Sequence, residues 1–155
     1  MLQRIQSVYL LLAGLVMFAL FLFPLAHDVY IAGVPSAVSV TGVWQDAGGH
    51  QAHTQTFGAL MAGTAVMGLL PFVLIFQYKN RKRQITYCYL YILLVIGFSF
   101  WMVQTVKSVT GGFTMDTHNF GIGALLSSIS IILAILAAKA IQRDEKLVKS
   151  ADRLR

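Results

Sequence analysis

Four long apolar segments without a single charged residue limit what this chain can fold into more than any other feature. They cover residues 5–26, 57–78, 85–106 and 120–138. At a rise of 1.5 Å per residue, each segment is long enough to cross a hydrocarbon core of about 30 Å as an α-helix. They are too long for strands of a membrane barrel, and none alternates apolar with polar residues as such strands do. The sequence therefore predicts an all-α membrane protein, a bundle of four transmembrane helices.

The composition excludes an ordinary soluble protein. Hydrophobic residues make up 57% of the chain and charged residues only 12%, against roughly 25% charged residues in a typical soluble domain. The longest connection, residues 27–56, is too short to hold a separate enzymatic domain. We therefore expect one integral membrane domain over residues 1–155.

The basic residues predict the orientation of the helices, because Lys and Arg near a membrane are retained on the cytoplasmic side. Arg4 precedes the first segment, residues 79–83 between the second and third carry four cations, and residues 139–155 carry six. Lys107 is the one basic residue expected on the opposite side. This asymmetry predicts cytoplasmic N and C termini, with outer loops over residues 27–56 and 107–119. The net charge of +6 is explained by orientation and by contact with anionic lipid, so nucleic acid is not an expected partner.

The first segment also has to be distinguished from a cleavable signal peptide. Its apolar run is longer than the core of a typical leader, and Pro24 stands where a small residue is required for cleavage. We expect it to remain as a transmembrane helix.

The outer loops carry the signals of a small β structure. Residues 38–44 alternate between apolar and polar side chains, which predicts a strand, with residues 29–31 as its partner and residues 33–36 as the turn. Gly48 and Gly49 are expected to end this hairpin before the second helix. Residues 109–114 contain a Gly-Gly pair between strand formers, which predicts a second hairpin. We expect the two loops to form one small sheet, because an isolated hairpin is only marginally stable.

Residues 139–155 form a basic tail with apolar residues at helical spacing. The tail is expected to continue the fourth helix as an amphipathic helix that either lies on the inner leaflet or docks onto a partner subunit. The residues predicted to contact lipid or a partner are cations of the inner link and of this tail: Arg81, Lys82, Arg83, Arg143, Lys146, Lys149 and Arg153.

Small residues recur four apart in the second and fourth segments. Such residues let helix backbones approach closely, which is the main packing device inside a bilayer. The predicted packing residues are Gly58, Ala62, Gly63, Gly68, Gly123, Ser127 and Ala134. They serve packing either within the monomer or with a second copy or a partner helix.

The four histidines are the only cluster that suggests a metal. His27, His50, His53 and His118 all fall in the outer loops, with Asp28, Asp46 and Asp116 nearby. They are weak candidate ligands for zinc or copper, since their spacing matches no complete motif, and solvent-exposed or capping histidines are the more common case. No histidine lies deep enough in a segment to ligate a haem, and no cofactor is expected.

The chain contains no glycine-rich phosphate loop, no nucleophile elbow and no His-Glu-x-x-His motif. The centres of the four segments also lack an ionisable group, which proton and ion pumps within the bilayer usually need. We therefore expect a protein that is not an enzyme and has no identifiable small-molecule substrate.

Three stretches resemble a known family. The opening MLQRIQSVYLLLA (residues 1–13), the link YKNRKRQ (residues 78–84) and the end AKAIQRDEKLVKSADRLR (residues 138–155) are similar to the bacterial membrane proteins grouped as DUF 4293, a domain of unknown function. The resemblance covers essentially the whole chain and implies a four-span protein of the bacterial inner membrane. It brings no assigned activity or site residue, but its motifs all fall on the predicted cytoplasmic side.

These observations leave three functional hypotheses open. The first is a non-enzymatic accessory or assembly subunit of a larger membrane complex, in contact with its partner through the basic cytoplasmic side. The second is a small oligomeric transporter or channel, with a pore lined by Thr64, Ser99, Gln104 and residues 127–130. The third is a metal-binding protein that uses the outer histidines.

Overall fold

The computed structural model describes residues 3–31, 33–47, 50–77, 80–111 and 119–152. In chain order these residues form one helix, four strands and three further helices. The elements are α1 (Gln3–Ala19), β1 (Ala26–Ile31), β2 (Val34–Ser39), β3 (Gly42–Ala47), β4 (His50–Thr56), α2 (Gly58–Phe76), α3 (Arg81–Thr110) and α4 (Ile122–Asp152). The chain is thus mostly helical, with one small antiparallel sheet.

Three of the helices are long and apolar enough to cross a membrane: α2, α3 and the part of α4 over Ile122–Val148. The fourth, α1, is apolar but shorter, with 17 residues and a length of about 26 Å. The apolar segment over residues 5–26 is therefore not helical throughout, in contrast to the prediction. Helical hydrogen bonding ends at Ala19, whose carbonyl accepts bonds from the amides of Leu22 and Phe23, and the chain turns through Pro24 into β1.

The helices pack so that α1 lies between α2 and α4, while α3 packs mainly against α4 and more loosely against α2. Consecutive helices joined by short connections are expected to be antiparallel neighbours. The molecule therefore has two distinct ends. At one end, which we call the basic end, α1 and α3 begin and α4 finishes. The other end carries the strands, and we call it the sheet end.

The sheet is a four-stranded antiparallel meander in the order β1-β2-β3-β4. The strands begin at residues 26, 34, 42 and 50; β1, β2 and β3 have six residues each and β4 has seven. Its inner face contributes Val29, Val38 and Val43 to the core, each with at most 2% of its surface exposed. Residues 29–31 do lie on a strand of a hairpin, but the turn predicted over residues 33–36 is wrong, because residues 34–36 belong to β2 and pair with residues 29–31.

The single strand predicted over residues 38–44 is wrong, because a turn interrupts it at Val40 and Thr41. The Ser39 hydroxyl donates to the Gly42 carbonyl at 3.2 Å and lies 2.7 Å from the Thr41 hydroxyl, and local bonds of this kind favour a turn. Gly42 has a φ of 150°, and a Cβ there would lie 1.9 Å from the Gln55 carbonyl oxygen. The turn and the close approach of β4 therefore both require glycine at this position.

Two other expectations for the loops are also corrected. Residues 48–49 do not end the sheet, since β4 follows them and pairs with β3 from Ala47↔His50 onward. Val109 and Thr110 are the last residues of α3 rather than a strand, and Gly111 caps the helix in the left-handed conformation. The remainder of that predicted hairpin, residues 112–114, lies outside the described residues.

The expectation of one sheet built from both loops is met only by a single bridge between Ala26 and Phe120 in the part of the chain that the structure describes. The neighbouring bonds still hold the two connections together. Gly121 donates its amide to the Leu25 carbonyl at 2.9 Å, and the Asn119 side chain donates to the Asp28 carbonyl at 2.9 Å. These bonds hold the sheet against the start of α4.

Candidate functional site at the basic end

The basic end brings together parts of all four helices through buried polar side chains. The Gln6 amide of α1 donates to the Ala140 carbonyl of α4 at 3.4 Å. The Gln84 amide of α3 donates to the Leu74 carbonyl of α2 at 3.0 Å. Both glutamines are at most 5% exposed, so each satisfies a buried donor while joining two helices. The three stretches that carry the family resemblance therefore converge at this end.

An ion pair completes the connection between α3 and α4. The Arg81 guanidinium nitrogen Nη1 lies 3.4 Å from Oδ2 of Asp144, and the two side chains are 33% and 12% exposed. Nη1 itself is buried and has no hydrogen-bond partner among the described residues, so the contact is a Coulombic one rather than a well-aligned hydrogen bond. Arg81, predicted to contact lipid or a partner, is thus engaged within the chain.

Five other cations of this end have described side chains, and all five are exposed. We call the exposed side chains of Lys82, Arg83, Lys139, Arg143 and Lys146 the basic surface. Lys82, Arg83, Arg143 and Lys146 are among the predicted contact residues. The side chain of Lys149 and all of Arg153 lie outside what the structure describes.

The last part of α4 has an apolar component beside the basic surface. Leu147 and Val148 are 51% and 46% exposed, and they lie just beyond Asp144, which pairs with Arg81 of α3. The tail is one continuous helix with the apolar part of α4. Its first turns are held by α1 and α3 and its last turns present both cations and apolar side chains.

Four of the hydroxyls proposed to line a pore are bonded within the chain, and a fifth, that of Ser128, is exposed. Thr64 donates to the Leu60 carbonyl at 2.8 Å and Ser99 donates to the Val95 carbonyl at 2.8 Å. Ser130 donates to the Ala13 carbonyl of α1 at 3.2 Å and therefore accepts the hydrogen of the Tyr91 hydroxyl, which lies 2.9 Å away. Ser127 donates to the Ala124 carbonyl, at 3.3 Å. Gln104 is exposed on α3.

The predicted packing residues occupy different environments. A Cβ on Gly68 would lie 2.9 Å from the Phe18 ring of α1, and one on Gly63 would lie 2.8 Å from the Phe98 ring of α3. A Cβ on Gly123 would lie 2.6 Å from the Pro24 carbonyl oxygen. Ser127 and Ala134 are buried, whereas Gly58 and Ala62 are exposed. Packing within the chain therefore accounts for five of these seven residues.

Two of the histidines have described side chains, and both lie on the sheet. His27 lies on β1 with its Nδ1 atom 3.0 Å from the Asp28 carboxylate, and His53 lies on β4 against the Trp44 ring, with ring centroids 4.6 Å apart. These strands are opposite edges of the sheet, about three strand spacings or roughly 14 Å apart. No group of three candidate ligands occurs within the described ranges. The side chain of His50 and all of His118 fall outside them, so the metal hypothesis stays a prediction.

Sequence reasoning missed the buried polar residues that hold the basic end together. The burial of Asp144 could have been predicted from periodicity, because it continues the buried series Ala134, Ala137 and Ile141 of α4 at the spacing of a helix face. Gln6 and Gln84 lie near the helix starts, where polar residues are ordinary. Their burial follows only from how the helices meet.

Comparison with known families accounts for essentially the whole chain. No curated protein matches it, so no activity can be transferred from a characterised relative. The model of the family described as "Domain of unknown function (DUF4293)" matches residues 2–154, which include the three stretches that meet at the basic end except for residues 1 and 155. The protein belongs to the DUF4293 family.

Proposed function

We propose that this chain is a four-span protein of the bacterial inner membrane, with both termini in the cytoplasm, and that it serves as a non-enzymatic accessory or assembly subunit of a larger membrane complex. The basic surface and the last turns of α4 make the contact. The partner is a membrane complex with an acidic surface on its cytoplasmic side.

The contacts of α1 support a fourth span despite its short length. Gln6 bonds α4 at the basic end, and the Ala13 carbonyl accepts the Ser130 hydroxyl near the middle. After the helix ends, the Pro24 carbonyl accepts the Gly123 amide at 3.0 Å. The segment from Gln6 to Pro24 thus follows α4 from one end of its apolar part to the other. The positive-inside rule then places the basic end in the cytoplasm.

The observation that carries the proposed role is the exposed end of α4. Leu147 and Val148 are about half exposed beside the exposed cations Arg143 and Lys146. A helix end that presents exposed apolar side chains beside exposed cations fits the groove of a partner whose rim carries acidic groups. Anionic headgroups of the inner leaflet offer a similar surface, so the experiment has to separate the two.

The structure indicates where to truncate the tail. Ending the chain after Glu145 removes Lys146, Leu147 and Val148 but keeps Asp144, whose ion pair with Arg81 belongs to the fold. A second variant, Arg143→Glu with Lys146→Glu, reverses charge at two exposed positions. Lys107→Glu is the matched control, because this exposed cation lies at the sheet end of α3.

The assay is cross-linking in native membranes followed by affinity purification. We expect a defined partner with the full chain and with Lys107→Glu, and its loss with the truncated and doubly reversed forms. Recovery of the full chain as a monomer, with no co-purifying protein under gentle conditions, would contradict the proposal. Retention of the partner by both tail variants would exclude the basic surface as the contact. Association with anionic vesicles alone, reduced by the same variants, would assign the tail to lipid instead.

A further inference from the structure

A groove of about 700 Å³ lies between α3 and α4 at the sheet end. This volume lies within the range of about 300–1,000 Å³ that is typical of small-molecule sites. Its inner wall includes Met102, Val106 and Ser127, each less than 9% exposed. The lining is mainly apolar but includes three serines. Ser99 and Ser127 donate to carbonyls of their own helices, and Ser128 is exposed. The wall therefore suits a hydrocarbon chain rather than a polar solute.

The groove is open on the side that faces away from the other helices. Ile96 and Val103 of α3 line it and are 54% and 45% exposed. In the four-span arrangement proposed above, an exposed apolar position on α3 faces lipid. A chain already resident in the bilayer can therefore enter the groove sideways without crossing water.

The length of the groove matches one leaflet. Along α3 it runs from Lys107 to Ile96, which are eleven positions apart, or about 16 Å of helix. Its other side runs from Phe120, two residues before α4 begins, to Ile131 of α4. Half of a hydrocarbon core of about 30 Å is the depth that one acyl chain occupies. The length of the groove along α3 matches that depth.

The mouth of the groove carries one cation. Lys107 lines it, is exposed, and stands one turn before the end of α3 at Thr110. It is the only basic residue of the chain outside residue 4 and the ranges 79–83 and 139–155. A lysine at the depth of the headgroups attracts a phosphate by charge.

We infer that this groove binds one acyl chain of an anionic phospholipid from the leaflet on the sheet side, with the phosphate of the headgroup beside Lys107. The second acyl chain remains in the surrounding lipid. The inference rests on the proposed four-span arrangement but not on the accessory role, since the lipid is held by the chain alone.

The test is native mass spectrometry of the purified full-length protein, exchanged into detergent with phosphatidylglycerol, phosphatidylcholine or oleate. We expect one phosphatidylglycerol to be retained per chain. Lys107→Gln should lower its retention about fivefold and leave phosphatidylcholine unaffected, whereas Lys107→Arg should retain phosphatidylglycerol as the unmodified chain does.

A bulky side chain in the groove provides the second arm. Val103→Trp should reduce retention of both phospholipids at least tenfold. Val66→Trp is its matched control, because Val66 is 54% exposed on α2, which does not line the groove. If the two tryptophan variants lose phospholipid equally, or if Lys107→Gln retains phosphatidylglycerol fully, the bound molecule is ordinary annular lipid and the inference is overturned. Preferential retention of oleate would overturn it as well, since a free fatty acid would then be the occupant.

The lipid assay uses purified protein, so it is independent of any partner. If the protein retains no lipid but still binds its partner, lipid binding in the groove is refuted and the proposed function stands. The reverse result would refute the accessory role alone.

Discussion

The bonded series formed by Tyr91, Ser130 and the Ala13 carbonyl predicts that two mutations will be less harmful together than their separate costs suggest. Ser130 is 0% exposed and Tyr91 is 2% exposed, and Ser130 takes part in both bonds of the series. Tyr91→Phe removes one bond and leaves Ser130 bonded to Ala13. We expect a loss of about 0.6 kcal/mol from the free energy of unfolding, the average for a hydrogen bond between membrane helices.

Ser130→Ala removes both bonds and leaves the Tyr91 hydroxyl buried without its acceptor. A buried polar group without a partner costs about 1–3 kcal/mol, so we expect a loss of about 2 kcal/mol. In the double variant the stranded hydroxyl is gone, and the expected loss falls to about 1 kcal/mol. The coupling energy between the two positions is then about −1.5 kcal/mol.

The measurement is reversible unfolding in mixed micelles of increasing SDS content, followed by circular dichroism. Ser99→Ala is the control, because the Ser99 hydroxyl bonds only the Val95 carbonyl of its own helix in the described contacts, and its loss should cost less than about 0.5 kcal/mol. A double variant as unstable as the sum of the two single variants would refute the reasoning. A Tyr91→Phe variant less stable than Ser130→Ala would refute it too.

Three further predictions use the same unfolding assay. Gly42→Ala should destabilise the protein by at least about 2 kcal/mol, because alanine would have a strained φ and its Cβ would clash with the Gln55 carbonyl. The backbone cannot easily move to relieve this clash, so a loss below about 0.5 kcal/mol would contradict the prediction. Gly58→Ala should leave stability unchanged or raise it by up to about 0.5 kcal/mol, since nothing lies within 4 Å of the added Cβ and alanine favours a helix; a clear loss would show an unrecognised contact. Asp144→Asn should lower the free energy of unfolding by about 1–2 kcal/mol, because it leaves the partly buried Arg81 guanidinium without its counter-charge. Arg81→Gln in the same chain should restore part of that loss. An Asp144→Asn chain as stable as the unmodified one would show that the pair contributes nothing to stability.

The long helices were predictable because their signal is collective. About twenty apolar residues in a row have few alternatives in a chain of this composition, so α2, α3 and α4 follow from hydropathy alone. The end of α1 did not follow. Residues 20–25 are as apolar as the helix before them, so hydropathy does not mark its end. Pro24 disfavours continuation of the helix, and the carbonyls of Pro24 and Leu25 accept amides at the start of α4, about 100 positions away.

The sheet was predicted in kind but not in detail. Alternation identified a strand over residues 38–44, but the turn inside it depends on the hydroxyl bonds of Ser39 and on the glycine conformation at residue 42. Val40 and Thr41, which form the turn, are strand formers by propensity, so the local composition favours a continuous strand instead of a turn. The polar contacts of the basic end were also missed, since a glutamine near a helix start is buried or exposed only according to its neighbours.

The position of α1 between the second and the last helix has a consequence for biogenesis. The Gln6 amide and the Ala13 carbonyl acquire their interhelical partners at residues 140 and 130, so α1 is incompletely enclosed until nearly all of the chain has been synthesised. Contacts of such high sequence separation form late in folding. An α1–α2 hairpin released early would expose its α4-facing surface to lipid and to other helices. The last helix therefore acts as the closing element of the molecule, and ribosome stalling before residue 122 should leave a species that a membrane protease can distinguish from the finished protein.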